Sequence, residues 1–148
     1  MKRIVFANDH ALNNEMIAEL TNHLNKIGYE VNHLGVKDST SVDYPDMAKA
    51  ATTEFLKGGY EFGLLVCGTG VGISVSANKV KGIFCSLIGD AFTAEATKKH
   101  NNPNFIAFGA RVLSIEKMIE YIDIFVNAEF EGDRHVRRLN KVKDLDNR

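Results

Sequence analysis

The stretch Leu64-Leu65-Val66-Cys67-Gly68-Thr69-Gly70-Val71-Gly72-Ile73-Ser74 is an aliphatic run that stops at a cysteine, followed by three glycines at alternate positions and a small-residue helical pattern reaching Asn78. It reads as strand, anion-binding turn and helix. Alternating glycines let the backbone come close to a ligand, and the helix start behind them aims free N–H groups and the positive end of the dipole at it. Cys67 stands at the lip of that cradle, where positive potential favours the thiolate.

On the N-terminal side, Arg3 to Ala7 is a short apolar run ending at Asn8-Asp9-His10, and Ala11 to Lys26 carries Leu12, Met16, Ile17, Leu20 and Leu24 at helical spacing. Gly28 stops that helix. Tyr29 to Leu34 reads as a second strand, the polar segment 35–43 as turns, and Pro45 as a first-turn residue of a helix running to about Lys57. Gly58-Gly59 breaks it ahead of the strand Phe62 to Val66. On the C-terminal side the pattern predicts a continuous strand over Gly82 to Ile88, a helix over Ala91 to Lys99 and a fifth strand over Phe105 to Phe108. An amphipathic helix over Ile115 to Phe130 and a charged one over Arg134 to Asp146 complete it. Apolar strands separated by helices imply an α/β fold, a parallel sheet covered on both faces, with ligands bound beyond the carboxyl ends of the strands.

A chain of 148 residues with 45% hydrophobic content suits one domain with a full core. Its net charge of −1 exerts no global pull on nucleic acid or anionic membrane. No apolar run approaches the ~20 residues of a membrane span, and Met1-Lys2-Arg3-Ile4-Val5-Phe6 enters a strand pattern, so a cytoplasmic location is expected. Cys67 and Cys85 are expected as free thiols in a reducing compartment.

The chemistry-bearing residues cluster around strand ends. Asp9 and His10 follow the first strand, Cys67 and the glycine turn follow the third, His100-Asn101 precede the fifth and Arg111 follows it; these groups are expected to converge. Arg134, His135, Arg137 and Arg138 form the one dense basic cluster, with Arg134 and Arg138 four apart on one helical face, and two guanidinium forks with a histidine suit a phosphate. Plainer readings stand beside these: Asp9 as a helix cap, His10 as a structural histidine, Cys67 as a small hydrophobe, the arginines as a solvated face. His23 and His33 belong to no cluster. No two histidines share ligand spacing with a carboxylate or cysteine, so no metal is expected. A nucleotide-binding module is the alternative of another class, because Gly68, Gly70 and Gly72 partly match a dinucleotide fingerprint and Asp90 lies about 20 residues on.

Asp9-His10, Val42-Asp43-Tyr44-Pro45, Cys67 to Ser74 with Ala77-Asn78-Lys79, His100-Asn101, Ala107 to Arg111, and Glu131 to His135 with Arg138 together resemble the ribose-5-phosphate isomerase B family, which includes the galactose-6-phosphate and allose-6-phosphate isomerases. The resemblance spans nearly the whole chain. It implies a three-layer α/β/α sandwich with a five-stranded parallel, Rossmann-like sheet in order 2-1-3-5-4. The implied activity is aldose–ketose isomerisation of ribose 5-phosphate and ribulose 5-phosphate through an enediolate, the six-carbon phosphates being the runner-up, with no cofactor. The match gives Cys67 the role of base and His100 that of proton transfer in ring opening. The backbone of Gly68, Thr69, Gly70, Val71 and Gly72 becomes the anion hole, Asp9 and Asn101 hold hydroxyls, His10, Arg134 and Arg138 hold phosphate, and Arg111 binds substrate. It further implies a homodimer or dimer of dimers with shared sites, Cys67, Asp9 and His10 coming from one subunit and His100, Asn101 and Arg111 from its mate. The chain departs from the family pattern at Leu12, Phe84 and Asp133, where glycine, arginine and glycine are usual.

Overall fold

Phe62–Cys67 (β3) is buried at all six positions, so it needs strands on both sides and helices on both faces. The structure, a computed structural model, describes residues 1–38 and 40–147; Ser39, within the expected turn segment 35–43, lies outside them. Around β3 run β1 (Lys2–Asn8), β2 (Tyr29–His33), β4 (Cys85–Leu87) and β5 (Phe105–Gly109), all parallel, in the order β2-β1-β3-β5-β4. The expected sheet and its order are therefore observed. Helices α1 (Asn14–Lys26), α2 (Tyr44–Phe55), α3 (Val71–Asn78), α4 (Ala91–Asn101), α5 (Ile115–Asn127) and α6 (Arg134–Asp144) follow in chain order, ending in the short 3-10 turn Leu145–Asn147.

Strand alternation sends successive residues to opposite layers. Ile4, Phe6, Leu64, Val66, Ile106 and Phe108 pack on one face with Leu20 and Leu24 of α1 and Met118, Ile122 and Phe125 of α5. Val5, Ala7, Leu65, Cys67 and Ala107 face the other way, against Ala48 and Ala51 of α2 and Ile73 and Ala77 of α3. The second face is built largely from alanine, which lets α2 and α3 lie close to the sheet. Leu12, a departure from the family pattern, is fully buried in the first cluster.

The boundaries of α1, β4, α4 and α5 differ from the sequence pattern. Helix α1 starts at Asn14 rather than Ala11, because the Asn13 side chain caps it by accepting the Met16 N–H at 3.0 Å. Strand β4 covers only Cys85–Leu87, not Gly82 to Ile88. Asparagine side chains take the earlier backbone groups: Asn78 Oδ1 accepts the Cys85 N–H at 2.7 Å and Asn104 Oδ1 the Phe84 N–H at 2.8 Å. Helix α5 ends at Asn127 instead of Phe130, and α4 runs on to Asn101, ending where Asn102 turns left-handed. The two histidines left outside any cluster are structural: His23 Nε2 lies 2.6 Å from Asp123, joining α1 to α5, and His33 bonds Asn8.

Burial, and then Lys37, hold the His33 pKa below its ordinary 6.5. A histidine harder to protonate in the folded state contributes stability that is present above the unfolded pKa and is lost as pH falls through the window beneath it. Unfolding midpoints in urea at pH 7.5 and 5.5 should therefore show a loss at the lower pH, and the loss should shrink in His33→Asn.

Candidate active site

The carboxyl edge of the sheet gathers three strand ends. Asp9 leaves β1 with its N–H bonded to the Val66 carbonyl of β3 at 3.1 Å, and is buried. Its Oδ1 accepts the Ala11 N–H at 2.9 Å in a local turn, so Asp9 does not cap α1. Next to it, His10 Nδ1 accepts the Val42 N–H at 3.3 Å, which leaves the neutral ring's proton on Nε2, available to a ligand oxygen.

The turn after β3 is shaped by close contacts. Gly70 sits at φ 81°, where any side chain would also meet Leu87 and the Phe108 backbone, and a side chain at Gly109 would strike the Thr69 backbone. Gly70 donates its N–H to Cys67 Sγ at 3.2 Å. The first intrahelical bond of α3 runs from Ser74 N–H to the Gly70 carbonyl, so the Gly72 and Ile73 N–H groups precede the helical ladder. Thr69 is exposed and spends its Oγ1 on the Val71 N–H at 3.2 Å, while the Tyr44 ring packs against Gly72. Cys67 is buried, 4% exposed, rather than standing at the lip. Burial alone pushes the Cys85 thiol up to about 12, and both cysteines are free. Arg111, expected to reach into a mate's site, lies across Gly68 of its own chain, and its N–H bonds the Gly68 carbonyl at 2.9 Å.

The remaining groups lie at the opposite edge. His100 and Asn101 end α4 and lead into the start of β5, whereas Cys67 pairs with Gly109 at the finish of β5. At ~3.3 Å per residue, the length of β5 alone separates the two groups by about 15 Å. The expected convergence within one chain is thus corrected: what precedes a parallel strand lies at its amino edge. α6 joins His100 there, through a bond from the Glu131 N–H to the Lys99 carbonyl at 3.0 Å. The His100 and His135 rings stack 4.5 Å apart, and Glu131 Oε1 lies 3.8 Å from His100 Nε2 and 3.5 Å from His135 Nε2.

His135 therefore faces inward, away from the exposed Arg134, Arg137 and Arg138, and does not extend the basic face they form. Burial first, then Arg134 and His100, lower its pKa from the ordinary histidine value. The spacing argument against a histidine and carboxylate cluster is also corrected, since His100, Glu131 and His135 bring one ligand atom each within 4.8 Å of one another. Glu131 and His135 were legible as a Glu-x-x-x-His pair. Asp90 caps α4 by accepting the Thr93 N–H at 2.7 Å, which removes the acidic partner a dinucleotide reading needs. A cavity of about 730 Å³ lies beneath α6, with Phe84, Asn101, Val136 and Leu139 among its walls and none of the carboxyl-edge residues.

The family described as Ribose/Galactose Isomerase matches residues 4–142. Ribose-5-phosphate isomerase B of Escherichia coli is 36% identical over 100% of this chain and 99% of its own length. Among solved structures, Clostridium thermocellum ribose-5-phosphate isomerase B superposes with a TM-score of 0.92 at 34% identity, covering 98% of this chain and 97% of that one. The Mycoplasma genitalium ribose-5-phosphate isomerase B, solved with bound ribulose-5-phosphate, superposes at 0.89 and 33% identity, covering 98% and 96%.

Asp133, the residue before α6, is held at φ 58° and ψ −127°, a conformation suited to glycine. Asp133→Gly should relieve about 1 kcal/mol of strain and raise the thermal midpoint by about 3 °C, read by calorimetry.

Proposed function

Because this chain belongs to the ribose/galactose isomerase family and is an aldose–ketose isomerase, we propose that it interconverts ribose 5-phosphate and ribulose 5-phosphate with Cys67 as the base. The observation that carries the reading is the Gly70 N–H directed at Cys67 Sγ inside a turn of backbone donors. The donor holds the sulfur in line with the turn, and a thiolate screened from water is a strong enough base for a carbon acid. It moves the proton between C2 and C1. The negative oxygen that develops is met by N–H groups at the start of α3, each well-placed donor lowering the barrier by roughly 3 kcal/mol. Asp9 and Asn101 hold hydroxyls, Arg111 binds substrate over Gly68, and His10 with Arg134 and Arg138 takes the phosphate. His100 moves the proton that opens the sugar ring. The enzyme works in the cytoplasm on carbohydrate phosphates.

Two half-sites at opposite edges of one sheet support a shared arrangement. Asp9, His10, Cys67 and Arg111 belong to one subunit, while His100, Asn101, Arg134 and Arg138 come from a two-fold mate. Exposed Val71, Leu87, Phe92 and Val112 lie at the carboxyl edge, around the half-site that needs covering, with Val75 one turn further along α3. An apolar rim of that kind fits a second copy of the chain.

Refolding Cys67→Ala together with His100→Ala tests this directly. Each variant alone is inactive on the cyclic sugar phosphate, but about half of randomly paired dimers are mixed, and each mixed dimer has one intact site. Activity should return to roughly a quarter of the wild-type level; no recovery from confirmed mixed dimers would overturn the shared site.

Arg134→Ala and Arg138→Ala should each raise KM strongly with ribose 5-phosphate, since a charge-assisted contact of roughly 1.5–3 kcal/mol is lost. Parallel turnover with allose 6-phosphate and galactose 6-phosphate decides between five and six carbons.

A further inference from the structure

Thr97 lies in α4, 3% exposed. A threonine inside a helix commonly returns its hydroxyl to a carbonyl of the preceding turn, as Thr52 does to Ala48 at 2.9 Å. Thr97 points its proton the other way: Oγ1 donates to Asn101 Oδ1, one turn on, at 3.0 Å. On its far side the same Oγ1 lies 2.6 Å from Ser86 Oγ of β4. A hydroxyl carries one proton. That of Thr97 is spent on Asn101, so Ser86 is the donor to Thr97. The three side chains thus form a relay with one direction, from β4 through α4 to the last residue of the helix.

That direction decides which end of the Asn101 amide is turned outward. Oδ1 is occupied by Thr97, while Nδ2 has no partner among the described residues and is not a buried orphan, so its two N–H groups are within reach of a ligand. The origin of the relay is fixed as well, because Ser86 pairs with Ile106 of β5 in the sheet.

We propose that Ser86 and Thr97 are positioning residues for the isomerase: they hold the Asn101 amide with its N–H groups outward, so that Asn101 meets the sugar phosphate as a hydrogen-bond donor to a substrate oxygen. The inference rests on the substrate-binding role proposed for Asn101. A valine at position 97 offers only methyl groups to the amide, which then turns away to keep both its polar atoms hydrated. The donor is lost although every atom of Asn101 remains.

The test is a double-mutant cycle in the full-length enzyme with ribose 5-phosphate. Asn101→Ala and Thr97→Val should each lower kcat/KM by about tenfold, and the double variant should fall no further than Asn101→Ala alone. Thr97→Ser keeps the hydroxyl and should restore wild-type turnover. Thr97→Ala removes the hydroxyl without adding a methyl, and carries the same expectation should the valine variant fail to fold by circular dichroism. Ser86→Ala should cost less than Thr97→Val, and only where Asn101 is present. Asn101→Asp still accepts from Thr97 but turns an oxygen outward, and should be no better than Asn101→Ala. Wild-type kcat/KM in the Thr97 variants beside an impaired Asn101→Ala would overturn the positioning role. So would a further loss from Thr97→Val in the Asn101→Ala background, or a Thr97→Ser as slow as the valine variant. Full activity in Ser86→Ala would remove Ser86 from the relay, and full activity in Asn101→Asp would overturn the donor assignment. Full activity in Asn101→Ala would instead overturn the binding role given to Asn101 itself.

Discussion

Burial of β3 on both faces is the constraint on which the molecule depends. Phe62–Cys67 has no charged side chain, and keeping all six residues from water requires strands on each side and a helical layer above and below. Parallel pairing meets that requirement only through crossover helices, so every loop of the sheet emerges at one of two edges. The division of labour between those edges follows. Close approach of α2 and α3 over an alanine-lined face brings the start of α3 directly beneath the thiol of Cys67, and the helix supplies N–H groups where the strand stops.

The two edges are built with different degrees of preorganisation. At the carboxyl edge nearly every group is tied to a neighbouring strand end: Asp9 to Val66, Ala110 to Cys67, Arg111 to Gly68. These bonds make a rigid floor for a reaction that needs alignment more than motion. At the amino edge, α6 and the segments flanking it touch the body through the Lys99 to Glu131 bond, the His100 to His135 stack and the Asp146 bond to the Gly82 N–H. Between these contacts lies the cavity lined by Phe84. Phe84 gives that cavity an apolar wall. The Asp133 backbone strain sits between the stacked histidines and the arginine face, at the entry to α6.

Much was legible from local pattern. The strand, turn and helix over residues 64–78, the alternation of apolar strands with amphipathic helices, the stop at Gly28 and the cysteine among glycines all depend on residues near one another in sequence, and period and glycine placement report them directly. Boundaries were less legible where side chains compete with the backbone ladder, as Asn78 and Asn104 do ahead of β4 and Asn13 does ahead of α1.

The sequence by itself determined the elements, the central position of β3 and the residues with the means to do chemistry. Only the tertiary structure decided which of them meet. Asp9, Cys67 and Arg111 share an edge because each follows a strand; His100 precedes one and is carried to the other edge by the length of α4. Whether His135 faces the arginines or the core depends on how α6 rolls against α4, which periodicity over eleven residues of mostly charged helix leaves open. Packing settled it: the His135 ring stacks on that of His100 and turns inward toward Glu131.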